Sequence, residues 1–370
     1  APSLGRRLAA VVFVDGARVI ETTERNLDAV SESRFVRAAR GQGQGRPPVW
    51  IMRQAGRYLP QYRKLRESHT FVEMCTEPDL AVEVSLQPWR EFGMDAVIVF
   101  YDILFVPEAM GAPLEFTERG PVFHRPVASR ADVDGLRRPE KGSASGPIVE
   151  SLRRLRASLP REVAVLGFAG APFTLAAYLV EGDFRRSGDR IRRLIHAEPE
   201  MIDALLDRIT EATIEYVNEQ VDAGADAVQL FDTWAGLLGL DHYERFAARY
   251  QKPIFEALRE RDVPAILYVN GASHLLERLP ACGATVFSLD WRTPLVAARR
   301  AFGSRIALQG NLDPTVLFAP PDEVARRTKD MLESMRNDPS YIVNLGHGIL
   351  PETPVASVRA FIDTVREADA

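Results

Sequence analysis

From Pro48 onward the chain alternates short β-branched and aliphatic runs with longer stretches whose apolar residues recur at helical spacing. The short runs predict strands at 49–52, 96–100, 163–168, 227–231, 265–269, 285–289, 306–309 and 341–345. The longer stretches predict amphipathic helices, among them 79–92, 200–223, 242–260, 294–302, 322–335 and 353–367. Strands separated by helices run parallel in one sheet with the helices outside. Eight such units predict an α/β protein of one (β/α)8 TIM barrel rather than an open doubly wound sheet. No G-x-G-x-x-G follows a strand, so a dinucleotide fold would lack its phosphate loop. Residues 104–147 are long for a barrel connection and predict an excursion near the mouth, with a short hairpin around 113–126. The Gly41-Gln42-Gly43-Gln44-Gly45 stretch is a loop signal, and 34–40 before it predict a short helix closing the barrel bottom. The chain therefore divides into an N-terminal extension, 1–33, and a barrel domain, 34–370.

Composition narrows the function classes. A chain of 370 residues with 46% hydrophobic and 26% charged residues can bury a large core. A net charge of −5 argues against a general nucleic-acid binder. Cys75 and Cys282 fit neither a disulfide framework nor a zinc spacing and are expected as buried thiols in a reducing compartment. None of the lysines (Lys64, Lys141, Lys252, Lys329) ends a strand-like run, which disfavours Schiff-base and PLP chemistry. No apolar run approaches the roughly 18 residues of a membrane span. The run from Leu8 to Val14 after Arg6-Arg7 is cut by Asp15, so it is expected to be a plain extension, with a targeting remnant as the alternative.

Barrel enzymes act at the carboxyl ends of their strands. Those ends carry Arg53 and Arg57, then Tyr101-Asp102, the 167–174 run, and Phe231-Asp232-Thr233-Trp234. Asn270-Gly271, Asp290-Trp291, Gly310-Asn311-Leu312-Asp313 and Gly346-His347-Gly348 follow. Two guanidinium forks hinged by Gly56 suit a ligand with several acidic groups; ordinary surface ion pairs are the bland alternative. Asp102 also suits a helix cap, His347 a turn, and Tyr178 a bond to a backbone carbonyl. Phe100, Phe168 and Phe231 suit core packing as well as a ligand platform. Asp232, Asp290 and Asp313 are expected to be structural.

The segment P-V-W-I-M-R-Q-A-G-R-Y-L-P at 48–60 resembles the N-terminal signature of the uroporphyrinogen decarboxylase family. G-F-A-G-A-P-F-T-L-A-A-Y-L-V-E-G at 167–182 resembles its second signature. F-Y-D-I-L at 100–104, L-Q-G-N-L-D-P at 308–314 and N-L-G-H-G at 344–348 match in the family's order, so the likeness covers about 34–368. The resemblance implies a single barrel, usually dimeric, without metal or organic cofactor. It implies that Arg53 and Arg57, with Gln54 beside them, bind substrate carboxylates, and that Asp102 engages the pyrrole N–H groups. Tyr178 and His347 match the family's active-site tyrosine and histidine. Thr233 stands where many members have serine, and Tyr101 replaces the usual serine before the aspartate. Phe100, Phe168 and Phe231 are expected among the substrate-binding residues, Phe168 and Phe231 as apolar walls.

The implied substrate, uroporphyrinogen III, carries four acetates and four propionates and loses its acetate carboxyls to give coproporphyrinogen III. A protonated pyrrole can receive the electrons that a cofactor would otherwise take. Asp102 is expected to stabilise the cationic ring, and a protonated His347 is expected to help clamp carboxylates. Arg53 or an ordered water is expected to give the first proton. Two alternatives stand beside this: a cobamide-dependent methyltransferase, which needs a zinc-binding His/Cys cluster, and a non-catalytic tetrapyrrole binder, which would not need Asp102. The compartment is expected to be cytoplasmic, with plastid as the alternative. No nucleic acid or membrane partner is expected, and a homodimer is.

Overall fold

Two strands of the sheet begin with the same device. In the computed structural model, which describes residues 33–117, 120–183 and 187–368, Gly93 and Gly224 take left-handed φ of 66° and 103°. They close the helices Pro78–Phe92 and Pro199–Asp222, a conformation that costs glycine little. Two residues later stand Asp95 and Asp226. The Asp226 N–H donates to Val165 O at 2.7 Å, and its Oδ2 accepts from the Val165 N–H at 2.8 Å and from Arg156 at 2.7 Å. Asp95 repeats this against Val49: its N–H donates to Val49 O at 2.9 Å, and its Oδ2 accepts from the Val49 N–H at 2.8 Å and from Arg46 at 2.7 Å.

The strands are β1 (Ala96–Ile98), β2 (Leu114–Thr117), β3 (Gly120–Phe123), β4 (Ala164–Gly170), β5 (Ala227–Asp232), β6 (Ala265–Val269), β7 (Val286–Leu289), β8 (Ala307–Leu312) and β9 (Tyr341–Leu345). Seven of them form one parallel sheet in the order β1-β4-β5-β6-β7-β8-β9. Their near-continuous apolar runs follow from cover on both faces; every residue of β4 and β9 is buried. The predicted excursion contains the antiparallel hairpin β2–β3.

The expected count of eight strands is corrected to seven among the described residues. The run 49–52 is buried throughout, as its composition demands, but contributes only a parallel bridge between Val49 and Val343. Val343 N–H donates to Pro48 O at 2.8 Å, and Trp50 N–H to Val343 O at 3.2 Å. The chain then turns, with Gln54 N–H donating to Ile51 O at 3.0 Å and Arg53 at φ 61°. A ladder cannot continue through that turn.

The sheet is strongly curled. Trp50 Nε1 donates to Gln309 Oε1 at 2.9 Å, and Gln309 Nε2 donates to Gln229 Oε1 at 3.0 Å and Ser288 Oγ at 2.9 Å. Gln229 lies on β5 and Gln309 on β8, three strand spacings apart, or roughly 14 Å in a flat sheet. Direct contact requires curvature. The helix Arg34–Ala39, capped by Ser33, packs against β4, β8 and β9 at the amino ends of the strands. This is the end that the sequence predicts it to close. The expected N-terminal extension falls almost wholly outside the described residues. Among the described residues no helix is long and apolar enough to cross a membrane.

Asp95 ties residues 46–50 to β1, so its loss leaves the Val49 N–H without an acceptor and Arg46 with only the backbone carbonyl of Pro47. Asp95→Ala is expected to lower stability by about 2–3 kcal/mol, with Asp95→Asn milder. Urea unfolding checks this; an unshifted midpoint for the alanine variant would show that the tie contributes nothing.

Candidate active site

Because the ladder bond at Trp50 is followed at once by a turn, Arg53 and Arg57 emerge at the carboxyl end of the sheet. Both are exposed, and neither guanidinium makes an ion pair or hydrogen bond among the described residues. Most other arginines with a nearby carboxylate hold it, as Arg46, Arg156 and Arg299 do. Arg53 lies against Gly348: a Cβ there would stand 2.4 Å from Arg53 Cδ. Its left-handed backbone is one that non-glycine residues adopt mainly where surrounding structure imposes it.

Gln54 departs from the expected binding role. It is fully buried, donates to Ala96 O at 3.2 Å and accepts from the Ile98 N–H at 3.2 Å. Its amide replaces the strand partner that β1 lacks beyond the turn. Gln54 thus positions the Arg53–Arg57 segment and presents no free polar group.

Asp102 follows β1. Its Oδ1 accepts from the Leu104 N–H at 2.9 Å, leading into the helix Phe105–Ala109. The N-cap of that helix is Leu104, without a side-chain cap, so the capping alternative does not hold, and Oδ2 keeps no partner among the described residues. Burial pushes its carboxyl up to about 6, against the pull of the Leu104 N–H and of Arg53. At pH 7 about nine-tenths of it is ionised. Tyr178, on the helix Pro172–Glu181, has its pKa raised by burial and by the Asp102 charge. Its ring meets that of Trp234 edge to face at 5.7 Å.

An arc of rings lies on the inner side of the sheet beyond the Gln229–Gln309 pair. Phe168 meets Phe231 at 5.7 Å, Phe231 meets Tyr268 at 6.2 Å, and Tyr268 meets His347 at 6.0 Å, all edge to face. Phe100 is not part of this arc; it packs against Tyr62 and Phe71 on the flank. Thr233, half-buried, lies in the turn that follows Asp232, the last residue of β5. The expected protonated His347 is corrected. Burial, together with the positive charges of Arg53 and Arg292, lowers it to about 4, against a Gly348 backbone hydrogen bond and the Asp290 charge. The ring is neutral near pH 7.

The remaining aspartates are structural, as expected. Asp232 accepts from Thr174 at 2.6 Å and Gln251 at 2.7 Å, and Asp290 accepts from the N–H groups of Gly271 and Arg292. Asp313 caps Thr315. Tyr101 packs with its ring tilted against Phe105 at 4.5 Å and donates to Ala144 O at 3.3 Å, so it ties the excursion to the rim. Sequence reasoning missed Tyr268, whose hydroxyl donates to Gly346 O at 3.1 Å, and it missed Gly348 and Arg292. Their signal was position alone, at or just past a strand end. Among the described residues no three His, Cys, Asp or Glu side chains gather as a metal site. The two described cavities are not lined by Arg53 or Asp102.

Residues 30–368 match the family model described as uroporphyrinogen decarboxylase (URO-D). The chain belongs to the uroporphyrinogen decarboxylase family. A relative from Myxococcus xanthus named uroporphyrinogen decarboxylase is 46% identical, covering 90% of this chain and 95% of its own. One of the same name from Synechococcus sp. is 44% identical, over 90% and 97%. Among solved structures, a methyltransferase from Methanosarcina mazei superposes with a TM-score of 0.76 over 90% of this chain and 97% of its own. At 22% identity that likeness speaks to the fold alone.

Two outcomes follow from this family member's geometry. NMR titration of the free protein is expected to leave His347 neutral down to about pH 4–5 while Asp102 titrates near 6; a histidine midpoint near 6.5 would remove the Arg53 and burial effects. Gly348→Ala is expected to displace the Arg53 side chain and lower kcat/KM about tenfold or more with an unchanged unfolding midpoint. Normal kinetics would show that Arg53 tolerates the shift.

Proposed function

We propose that this chain is a uroporphyrinogen decarboxylase, a carboxy-lyase of tetrapyrrole biosynthesis that converts the four acetates of uroporphyrinogen III stepwise to methyls, yielding coproporphyrinogen III. Beside the family membership, one observation carries the reading. Asp102, with an unpartnered carboxylate oxygen, lies within electrostatic reach of Arg53, whose guanidinium no carboxylate has taken.

Arg53 and Arg57 hold substrate carboxylates as planar forks. A ring carbon of the pyrrole is protonated, and the acetate C–C bond electrons move into the cationic ring as carbon dioxide leaves. A proton then completes the methyl group, and the proton added to the ring carbon leaves to restore the pyrrole, so that one proton is taken up for each carbon dioxide lost. The pyrrole acts as its own electron sink, so the chemistry calls for no organic cofactor. Positive charge develops on the ring as it is protonated, and a fixed anion at Asp102 stabilises that cation and the transition state leading to it without reorganisation. Neutral His347 offers a hydrogen bond rather than a charge, and Tyr178 and Thr233 supply hydroxyls. Phe168 and Phe231 wall the rings. Rotation of the macrocycle brings each acetate to the same aspartate.

Residues 48–50 take the eighth position of a closed barrel, supported by the Pro48 and Trp50 backbone bonds to Val343 on one side and the Val49 bonds to Asp95 on the other. Residues 34–370 form the catalytic domain and 1–33 an extension. The assembly is a homodimer, in keeping with the apolar Leu237 and Leu240 that stand exposed on the connection after β5; sedimentation checks this. A cytoplasmic setting suits the free thiols Cys75 and Cys282.

The test is an anaerobic assay with reduced uroporphyrinogen III in EDTA without added cofactor, resolving oxidised products by carboxylate number. Products with seven down to four carboxylates are expected; none from folded protein would reject the activity. Asp102→Asn is expected to lower kcat about 10²- to 10³-fold, and near-normal turnover would remove the charge-stabilising role. Since kcat/KM reports the free enzyme, the wild-type value is expected to fall tenfold per unit below about pH 6, as Asp102 becomes protonated.

A further inference from the structure

Arg292 follows β7 in the Asp290-Trp291-Arg292 turn. Asp290 is fully buried, and its carboxylate already accepts from three backbone N–H groups: Gly271 at 2.8 Å, Ala272 at 3.2 Å and Arg292 itself at 2.8 Å. Little of that acceptor remains for the Arg292 guanidinium, which approaches it only at 3.5 Å and Asn270 Oδ1 only at 3.4 Å. Half of the side chain is exposed. Yet it is not loose. Its guanidinium carbon lies 4.0 Å from the centre of the Trp291 ring, a stacked cation–π contact, and the Trp291 ring meets His347 at 6.5 Å. The Trp291 backbone in turn packs where a Cβ on Gly346 would stand 2.4 Å from its N. The cation is thus pre-oriented at the rim while its hydrogen-bonding capacity is left weakly used.

Its position relative to the two expected anion-binding arginines is informative. The charges of Arg53 and Arg292 both bear on His347 and on Tyr268. Arg53 and Arg57 follow the 49–52 run, which bridges to β9 at Val343, whereas Arg292 leaves the sheet at β7, two strands from β9. A ligand carrying acidic groups all around a macrocycle offers more carboxylates than the forks of Arg53 and Arg57 can take.

We propose that Arg292 is a further substrate-recognition residue, binding a carboxylate of the tetrapyrrole on the β7 side of His347, which Arg53 flanks from the Gly348 side. This rests on the decarboxylase reading above. The Trp291 stack holds the fork in place, so little side-chain entropy is lost on binding.

The test compares Arg292→Gln and Arg292→Lys with wild type, and Arg300→Gln controls for removing one exposed positive charge elsewhere. The glutamine variant is expected to raise KM for uroporphyrinogen about tenfold, with kcat within about threefold and an unchanged unfolding midpoint. The lysine variant should recover part of the loss, and Arg300→Gln should match wild type. A glutamine variant with wild-type KM, or one whose loss lies in kcat and unfolding midpoint, overturns the proposal. Fluorescence titration with uroporphyrin, which carries eight carboxylates, separates the two readings. Without turnover in the wild type the decarboxylase reading fails, whereas equal affinity of wild type and Arg292→Gln fails Arg292 alone.

Discussion

The two-sided pairing of Val49 fixes everything that follows it. Val343 holds it from β9 and Asp95 from the head of β1, so its register is not free to slip. A shift of one residue would invert which side chains face inward, and would carry Trp50 away from Gln309. Because the register holds, the turn after Ile51 falls level with the residues that leave β9. Arg53 therefore meets Gly348, and its charge reaches His347.

Arg53 acts on its two titratable neighbours in opposite ways. A positive charge lowers the pKa of acid and base alike. For Asp102 that favours the ionised form, offsetting part of the desolvation that pushes it up. For His347 it favours the neutral form, adding to desolvation. One guanidinium thus leaves the rim with a cation, an anion and an uncharged ring. That is a division of labour suited to binding acid groups at the edge while a positive charge develops at the centre.

Much of this was legible in the chain. Alternation of runs located seven parallel strands, the hairpin and the bottom helix, since parallel strands covered on both faces must be apolar. The 49–52 run looked the same because burial alone shapes its composition. Whether it joins a ladder is decided by residues 95 and 343, which no local pattern reveals. Gln54 read as a site residue because it sits among arginines; its true partners are β1 backbone groups left bare by the turn. The charge of His347 depended first on burial and then on two arginines distant in sequence. Asp232, Asp290 and Asp313 were readable as structural, since their short side chains bond nearby or neighbouring backbone and polar groups.

The closing segment also sets an order of events during synthesis. Met52 donates to the Asn344 side chain across a separation of 292 positions. Contacts this remote form late, because the intervening chain must first be drawn together. The helices and neighbouring strand pairs can assemble as the polypeptide emerges, but Arg53 has no Gly348 to lie against until nearly the whole chain has left the ribosome. A truncated product can therefore hold much of the architecture and still lack a working centre.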